Sequence, residues 1–319
     1  QVEGPIHVGV DLGTADVVVM AVDDNGMPVS AFLEWATVVR DGVVVDYHGA
    51  ITIVKRLVSM TEERLGRKIT EASTSYPPGT DARLSTNILD AANLRLVSTA
   101  DEPSCLARLA RLDRAAVVDI GGGSTDIAVI SMGGRVKAAS LPVAGNAFDN
   151  CIAQYIQEKY QIAIGPLTAE QLKKQVACCT RSEFEGVMEV RGHSWETNLP
   201  ARRLIYTRDL YEPVQELAAR IATAARNVLE NTPPELAADV SSTGVLLTGG
   251  GSLLRGLASY IAGELHTDVA IAPDPLNCVA RGTAISLSEG KYLTAGFRDA
   301  TPKSWNRRLN HTHDPFTAE

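Results

Sequence analysis

The stretch AAVVDIGGGSTDIAVI, residues 115–130, constrains the fold more than any other part of the chain. An apolar strand pattern delivers Asp119 into a glycine-rich bend and a second apolar strand leaves it, so the segment reads as a hairpin built around a ligand. Gly121, Gly122 and Gly123 remove every Cβ from the bend. Backbone N–H groups can then approach an anion, with the Ser124 and Thr125 hydroxyls beside them, and the expected anion is a phosphate. A glycine run is also a common tight turn, and an aspartate in a turn commonly caps backbone groups. Function therefore depends on what accompanies this hairpin.

Two further turns do. HVGVDLGTADVVVMAVD, residues 7–23, runs from strand through Asp11, Gly13, Thr14 and Ala15 into a second strand, 108 positions before its counterpart. Such a repeat predicts two related halves closing on one site. In GVLLTGGGSLLRGLASYIAGEL, residues 244–265, a strand leads into Gly249, Gly250, Gly251 and Ser252 and then a helical pattern. Those residues are expected at a helix N-terminus, where free N–H groups and the dipole favour polar or anionic groups. No G-x-x-x-x-G-K-[ST] is present and no G-x-G-x-x-G follows a strand at the required spacing, so the P-loop and Rossmann phosphate sites do not apply.

Two aspartate hairpins followed by a glycine-helix turn resemble the actin-like ATPase superfamily over residues 6 to about 288. The segments VGVDLGTADVVVMAVD, LEWATVVRDGVVVDYHGAITIV, TSYPPGTDARLS and DEPSCLARLARLDRAAVVDIGGGSTDIAV are similar to EutJ, the chaperone-like protein of ethanolamine-utilisation systems. AGNAFDNCIAQYI, LTAEQLKKQV, VMEVRG, PPELAADVSSTGVLLTGGGSLLRGL and DPLNCVARGTA are similar to the bacterial actin MreB, and more loosely to MamK. The resemblance implies an α/β, two-lobed protein of duplicated ribonuclease-H-like domains that binds ATP or ADP with Mg²⁺. It implies a first lobe over residues 1–137 with both phosphate hairpins, and a second over 138–163 and 212–290 with the adenosine turn. A small α+β insert would fill 164–211, and an irregular tail 291–319.

The same resemblance distributes roles. Asp11 and Asp119 would face each other across the cleft beside the polyphosphate and hold Mg²⁺ largely through water. Gly13, Thr14, Ala15, Gly121, Gly122, Gly123 and Thr125 would surround the phosphates. Glu102, at the start of a predicted helix between the halves, would position the attacking water; it is equally placed to complement that helix's dipole. Ser124 would share the water-positioning or simply stabilise its turn. Glu170 and Lys173 would approach the base and ribose with Gly249, Gly250, Gly251 and Leu254, although a Glu/Lys pair one turn apart is also a common exposed helix pair. Gly145 and Asn146 would approach the nucleotide, and Asp149 either joins them or caps its helix.

Composition fits a globular protein with two cores: 319 residues, 45% hydrophobic and 21% charged. A net charge of −8 without clustered Lys and Arg argues against nucleic acid as a partner. Five scattered cysteines without C-x-x-C spacing, and no apolar run near the roughly 18 residues needed to span a bilayer, lead to the expectation of a reducing, cytoplasmic location. His311 and His313 are a weak metal signal.

Strand patterns are expected at 6–11, 16–22, 71–76, 115–120 and 126–130, with helices near 49–66, 81–92, 102–112 and 168–177 and insert strands near 184–192 and 202–207. Only about 25 residues connect Thr14 to Arg40. The outer subdomain that MreB carries there is expected to be largely missing, as in EutJ. QVEGPIHV also runs straight into a strand, where MreB has a membrane-anchoring amphipathic helix. These features favour an EutJ-like chaperone or reactivating factor for a microcompartment component. The MreB-like second half leaves self-association into filaments as the alternative.

Overall fold

The computed structural model describes residues 4–40, 43–77, 80–110, 114–132, 134–181 and 184–285. The expected tail at 291–319, with His311 and His313, lies outside the described residues. The chain opens with an antiparallel meander, β1 (Ile6–Leu12), β2 (Asp16–Asp23) and β3 (Pro28–Trp35), followed by a short ribbon, β4 (Val39–Arg40) and β5 (Val43–Val44). Then come α1 (Tyr47–Leu65), β6 (Glu71–Tyr76), α2 (Arg83–Ala91) and β7 (Arg95–Asp101), giving a sheet ordered β3-β2-β1-β6-β7. Helix α1 shows the local logic. Asp46 caps it by accepting from Gly49 N, Ala50, Ile53, Val54, Leu57 and Val58 form one buried stripe, and Gly66 ends it at φ 69°.

Helix α3 (Glu102–Ala110) leads into a second meander, β8 (Arg114–Ile120), β9 (Thr125–Ser131) and β10 (Gly134–Leu141). After it come α4 (Gly145–Tyr160), β11 (Ile162–Ala163), α5 (Pro166–Gln175), β12 (Val187–Ser194), β13 (Pro200–Tyr206), α6 (Thr207–Glu230) and α7 (Pro234–Thr243). The described chain ends with β14 (Val245–Thr248), α8 (Leu257–Leu265), β15 (Val269–Ile271) and α9 (Cys278–Ile285). The second sheet is ordered β10-β9-β8-β14-β15, strand for strand the arrangement of the first, while β11, β12 and β13 form a separate small sheet. Ala115–Val118 and Ile127–Ile130 are buried at every position, as expected for strands covered by helices on both faces. The larger core packs Phe148, Ile152 and Ile156 of α4 with Leu210, Val214 and Ile221 of α6.

The last helix of each half crosses to the other sheet. Helix α3 packs on β8 and β9, with Leu106 among Val117 and Leu246, whereas α9 packs on β1, β2 and β6, with Ala280 and Ala284 against Val18, Met20 and Val22. Gly9 of β1 makes room for this, since a Cβ there would stand 2.5 Å from Ala280 O. Among the described residues no helix is long and apolar enough to cross a membrane.

The expected elements form with shifts at their ends, and β3, β4, β5, β7, β11, β15 and α7 had no counterpart in the periodicity. Two expectations are corrected. The second hairpin, β8–β9, belongs to the second sheet with β14 and β15, so the first lobe does not run to residue 137 with both hairpins. Gly250 opens a single 3₁₀ turn, Gly250–Leu253, and α8 begins only at Leu257, so the glycine triplet does not sit at the N-terminus of an α-helix. A positive φ of 78° at Gly256 separates the two.

Candidate nucleotide cleft

Asp11 closes β1 and Asp119 closes β8, so the repeated sheet brings both aspartates to the ends of equivalent central strands. Ser75 Oγ, on neighbouring β6, donates to Asp11 Oδ1 at 3.1 Å. The two hairpins touch: a Cβ on Gly122 would lie 2.8 Å from the Ala15 side chain, and one on Gly123 would lie 2.7 Å from that of Thr14. Glycine is therefore needed where the bends meet, independently of any ligand. The second bend is closed by Gly121 N donating to Ser124 O at 3.0 Å.

Helix α4 docks on that bend. Gly145 N donates to Gly121 O at 3.0 Å and Asn146 N to Gly122 O at 2.8 Å. Lys173, from α5, donates to Gly145 O at 3.0 Å and to Asp149 Oδ2 at 2.9 Å. The third turn abuts from the other side. Gly249, at φ 77°, lies so close to Asp119 Oδ1 and Ile120 O that a Cβ would overlap both, and Leu254 is buried behind it. Gly251 presses likewise on Ile120, while Gly250 faces Leu276.

Carboxylates dominate the electrostatics. Burial pushes Asp11 up to about 7, helped by the charge of Asp16, while Ser75 opposes the shift. Burial also raises Asp16 to about 6. Asp119 is driven well up by burial, then by Asp126, Asp11 and Asp16, and Glu102 by burial, then by Asp11, Asp119, Asp126 and Asp101. These groups repel one another because they converge on one cleft. Asp126 is 2% exposed, accepts from Ser124 Oγ at 3.1 Å through Oδ2, and has no partner for Oδ1. Such an all-oxygen set fits a hard divalent cation such as Mg²⁺. Among the described residues no group of three or more His, Cys, Asp or Glu is placed to hold a metal ion.

Two expectations change. Thr125 is fully buried and its hydroxyl donates to Val143 O at 2.6 Å, so it braces the hairpin instead of offering an oxygen to the cleft. Glu170 pairs with Lys174 across an exposed turn at 2.6 Å, not with Lys173, which turns inward to Asp149. Asp16, Asp126 and Ser75 were missed. The first two had a signal, since D-L-G-T-A-D and D-I-G-G-G-S-T-D each start the outgoing strand with a second aspartate.

Comparison with known proteins agrees with this geometry. Over 171 residues the chain is 46% identical to the cell shape-determining protein Mbl of Bacillus cereus, covering 54% of this chain and 51% of Mbl. Over 153 residues it is 49% identical to the ethanolamine utilization protein EutJ of Escherichia coli, covering 45% of this chain and 55% of EutJ. The matches thus span about half the length of these curated relatives. Among solved structures, MreB5 of Spiroplasma citri bound to ADP superposes with a TM-score of 0.80 at 28% identity, over 89% of this chain and 98% of MreB5. EutJ of Carboxydothermus hydrogenoformans gives 0.70 at 31% identity, over 89% and 91%. The MreB/Mbl protein family profile matches residues 28–295. With the duplicated sheets and paired aspartate hairpins, this match establishes that the chain belongs to the MreB/Mbl family and has the actin-like ATPase fold.

Proposed function

We propose that the chain binds ATP between its two hairpins, hydrolyses it slowly, and uses the nucleotide state to open and close the cleft as an EutJ-like chaperone or reactivating factor. Asp11 and Asp119 would hold Mg²⁺ through water, Gly121–Gly123 with Gly13, Thr14 and Ala15 would enclose the phosphates, and Gly249–Gly251 with Leu254 would line the adenosine side. The cation, when bound, neutralises phosphate charge. Glu102, whose carboxyl is raised well above its ordinary value by burial and the neighbouring carboxylates, would orient the attacking water. The observation that carries the chaperone reading is that only eleven residues, 36–46, connect β3 to α1. That leaves Trp35, Val43 and Val45 exposed beside the first lobe's edge, where a client could dock.

A filament-forming actin is the second reading, favoured by the complete outer sheet β11–β13 and by the overlap with MreB5. Ultracentrifugation with Mg-ATP, Mg-ADP or no nucleotide, with phosphate release measured in the same tubes, separates the two. Soluble protein with slow turnover is expected; nucleotide-dependent pelleting would replace the chaperone reading with the polymer.

A further inference from the structure

Asp101 is the last residue of β7, the edge strand of the first sheet, and immediately precedes Glu102. Its carboxylate is 8% exposed, and both oxygens are used. Oδ1 accepts from Ser104 N at 2.9 Å, capping the first turn of α3, and Oδ2 pairs with Arg135 at 3.1 Å. Arg135 belongs to β10, the edge strand of the other sheet. The β9–β10 register shifts between Arg135 and Lys137, and such a bulge re-aims side chains at sheet edges. The irregularity therefore sits where an arginine is turned from one lobe toward the helix start of the other.

A buried carboxylate is retained at low cost only if paired. Here the partner comes from the opposite lobe, so the start of α3 is fixed by both lobes at once. We propose that Arg135 is a positioning residue for hydrolysis: through Asp101 it clamps the first turn of α3 and so holds Glu102 over the cleft when the lobes are closed. This rests on the nucleotide-hydrolysing reading above. Arg135 does not itself reach the cleft in this account, so its loss changes water positioning and not nucleotide affinity.

Two substitutions isolate the pair. Arg135→Gln removes the cation at a partly exposed position, and Asp101→Asn preserves the cap, because asparagine is as good an N-cap as aspartate, while removing the charge. Each is expected to lower single-turnover phosphate release roughly tenfold with ATP affinity within about twofold of wild type. The double variant should be no worse than either single, since both break one interaction, and Arg135→Lys should recover part of the loss. Hydrogen exchange of residues 102–106 provides an independent readout, with faster exchange expected in Arg135→Gln. Unchanged turnover, additive losses, or unchanged exchange would each overturn the proposal. If wild-type protein binds no ATP, the functional reading fails, and the exchange experiment alone still decides whether Arg135 clamps α3.

Discussion

The two sheets of this protein share a strand order but are furnished differently. In the first half, residues 36–46 link the third strand, β3, to the long helix α1; in the second, residues 142–206 link β10 to the long helix α6, carrying α4, α5 and a three-stranded sheet. The aspartate hairpins survive in both. The clamp and its outer decoration are thus separable: the ends of β1 and β8 are set by sheet topology, whereas the segment after the third strand can shrink to a ribbon. Only the second half gains a helix, α4, whose N-terminus is bonded to the glycine bend at Gly121 and Gly122. The second hairpin is therefore braced by a helix start, whereas the bend of the first receives Ala36 N on Ala15 O.

The hardest test of equivalence between the hairpins is to remove their aspartates. Asp11→Ala and Asp119→Ala should each reduce phosphate release by ~10³-fold, since both take away a group from the cation's surroundings; a large loss in only one would mean that one lobe alone carries the chemistry. Glu102→Gln should cost ~10²-fold in single-turnover hydrolysis with ATP affinity, followed by calorimetry, almost unchanged. Gly249→Ala breaks the asymmetry, because only the second hairpin is backed by a glycine turn that overlaps with its aspartate. A loss of ~2–4 kcal/mol in denaturant unfolding is expected, against well under half that for Gly13→Ala, whose nearest neighbour is the movable Asp16 side chain.

A smaller effect concerns pH. Asp11 and Asp16 are raised to about 7 and about 6 in the fold from the ordinary aspartate value of 3.8. The folded protein keeps protons that the unfolded chain has released, so this contribution to stability is full below about pH 4 and is lost as pH rises through 6 to 7. Nucleotide-free protein should melt ~2–6 °C higher at pH 6 than at pH 8. Asp11→Asn should flatten that dependence and stabilise the protein at pH 8 by ~1–2 kcal/mol. No change in slope would dissociate the carboxylate cluster from stability. Smallest of all, Lys174→Ala removes an exposed pair with Glu170 and should shift stability by less than ~0.5 kcal/mol, with unchanged ATP affinity. A marked loss of affinity would return Glu170 to the ribose.

The hairpins were legible because each is local: apolar strand, aspartate, glycine bend and apolar strand lie within sixteen or so residues. The shortened first half was legible for the same reason. Partners were not, because they are set by three-dimensional approach. Nothing near Lys173 indicates that it would reach Asp149 across two helices in preference to Glu170 on its own helix. Thr125 reads as a phosphate ligand from its neighbours, and only the position of Val143 turns its hydroxyl inward. Strand β7 alternates weakly, with Arg95, Ser98 and Thr99 among its residues, since it is an edge strand and needs only one buried face.

The exchange of α3 and α9 between the sheets also bears on how such a chain could arise and be divided. A simple duplication would give two copies able to fold separately. Here the helix that finishes each copy covers the other's sheet, so a cut between α3 and β8 would strip Val18, Met20 and Val22 of α9 and leave Leu106 without Val117 and Leu246. Fragments made that way should recover a native-like state only when mixed. The intact chain should melt in one calorimetric transition, as a pair of copies that has lost the option of independence.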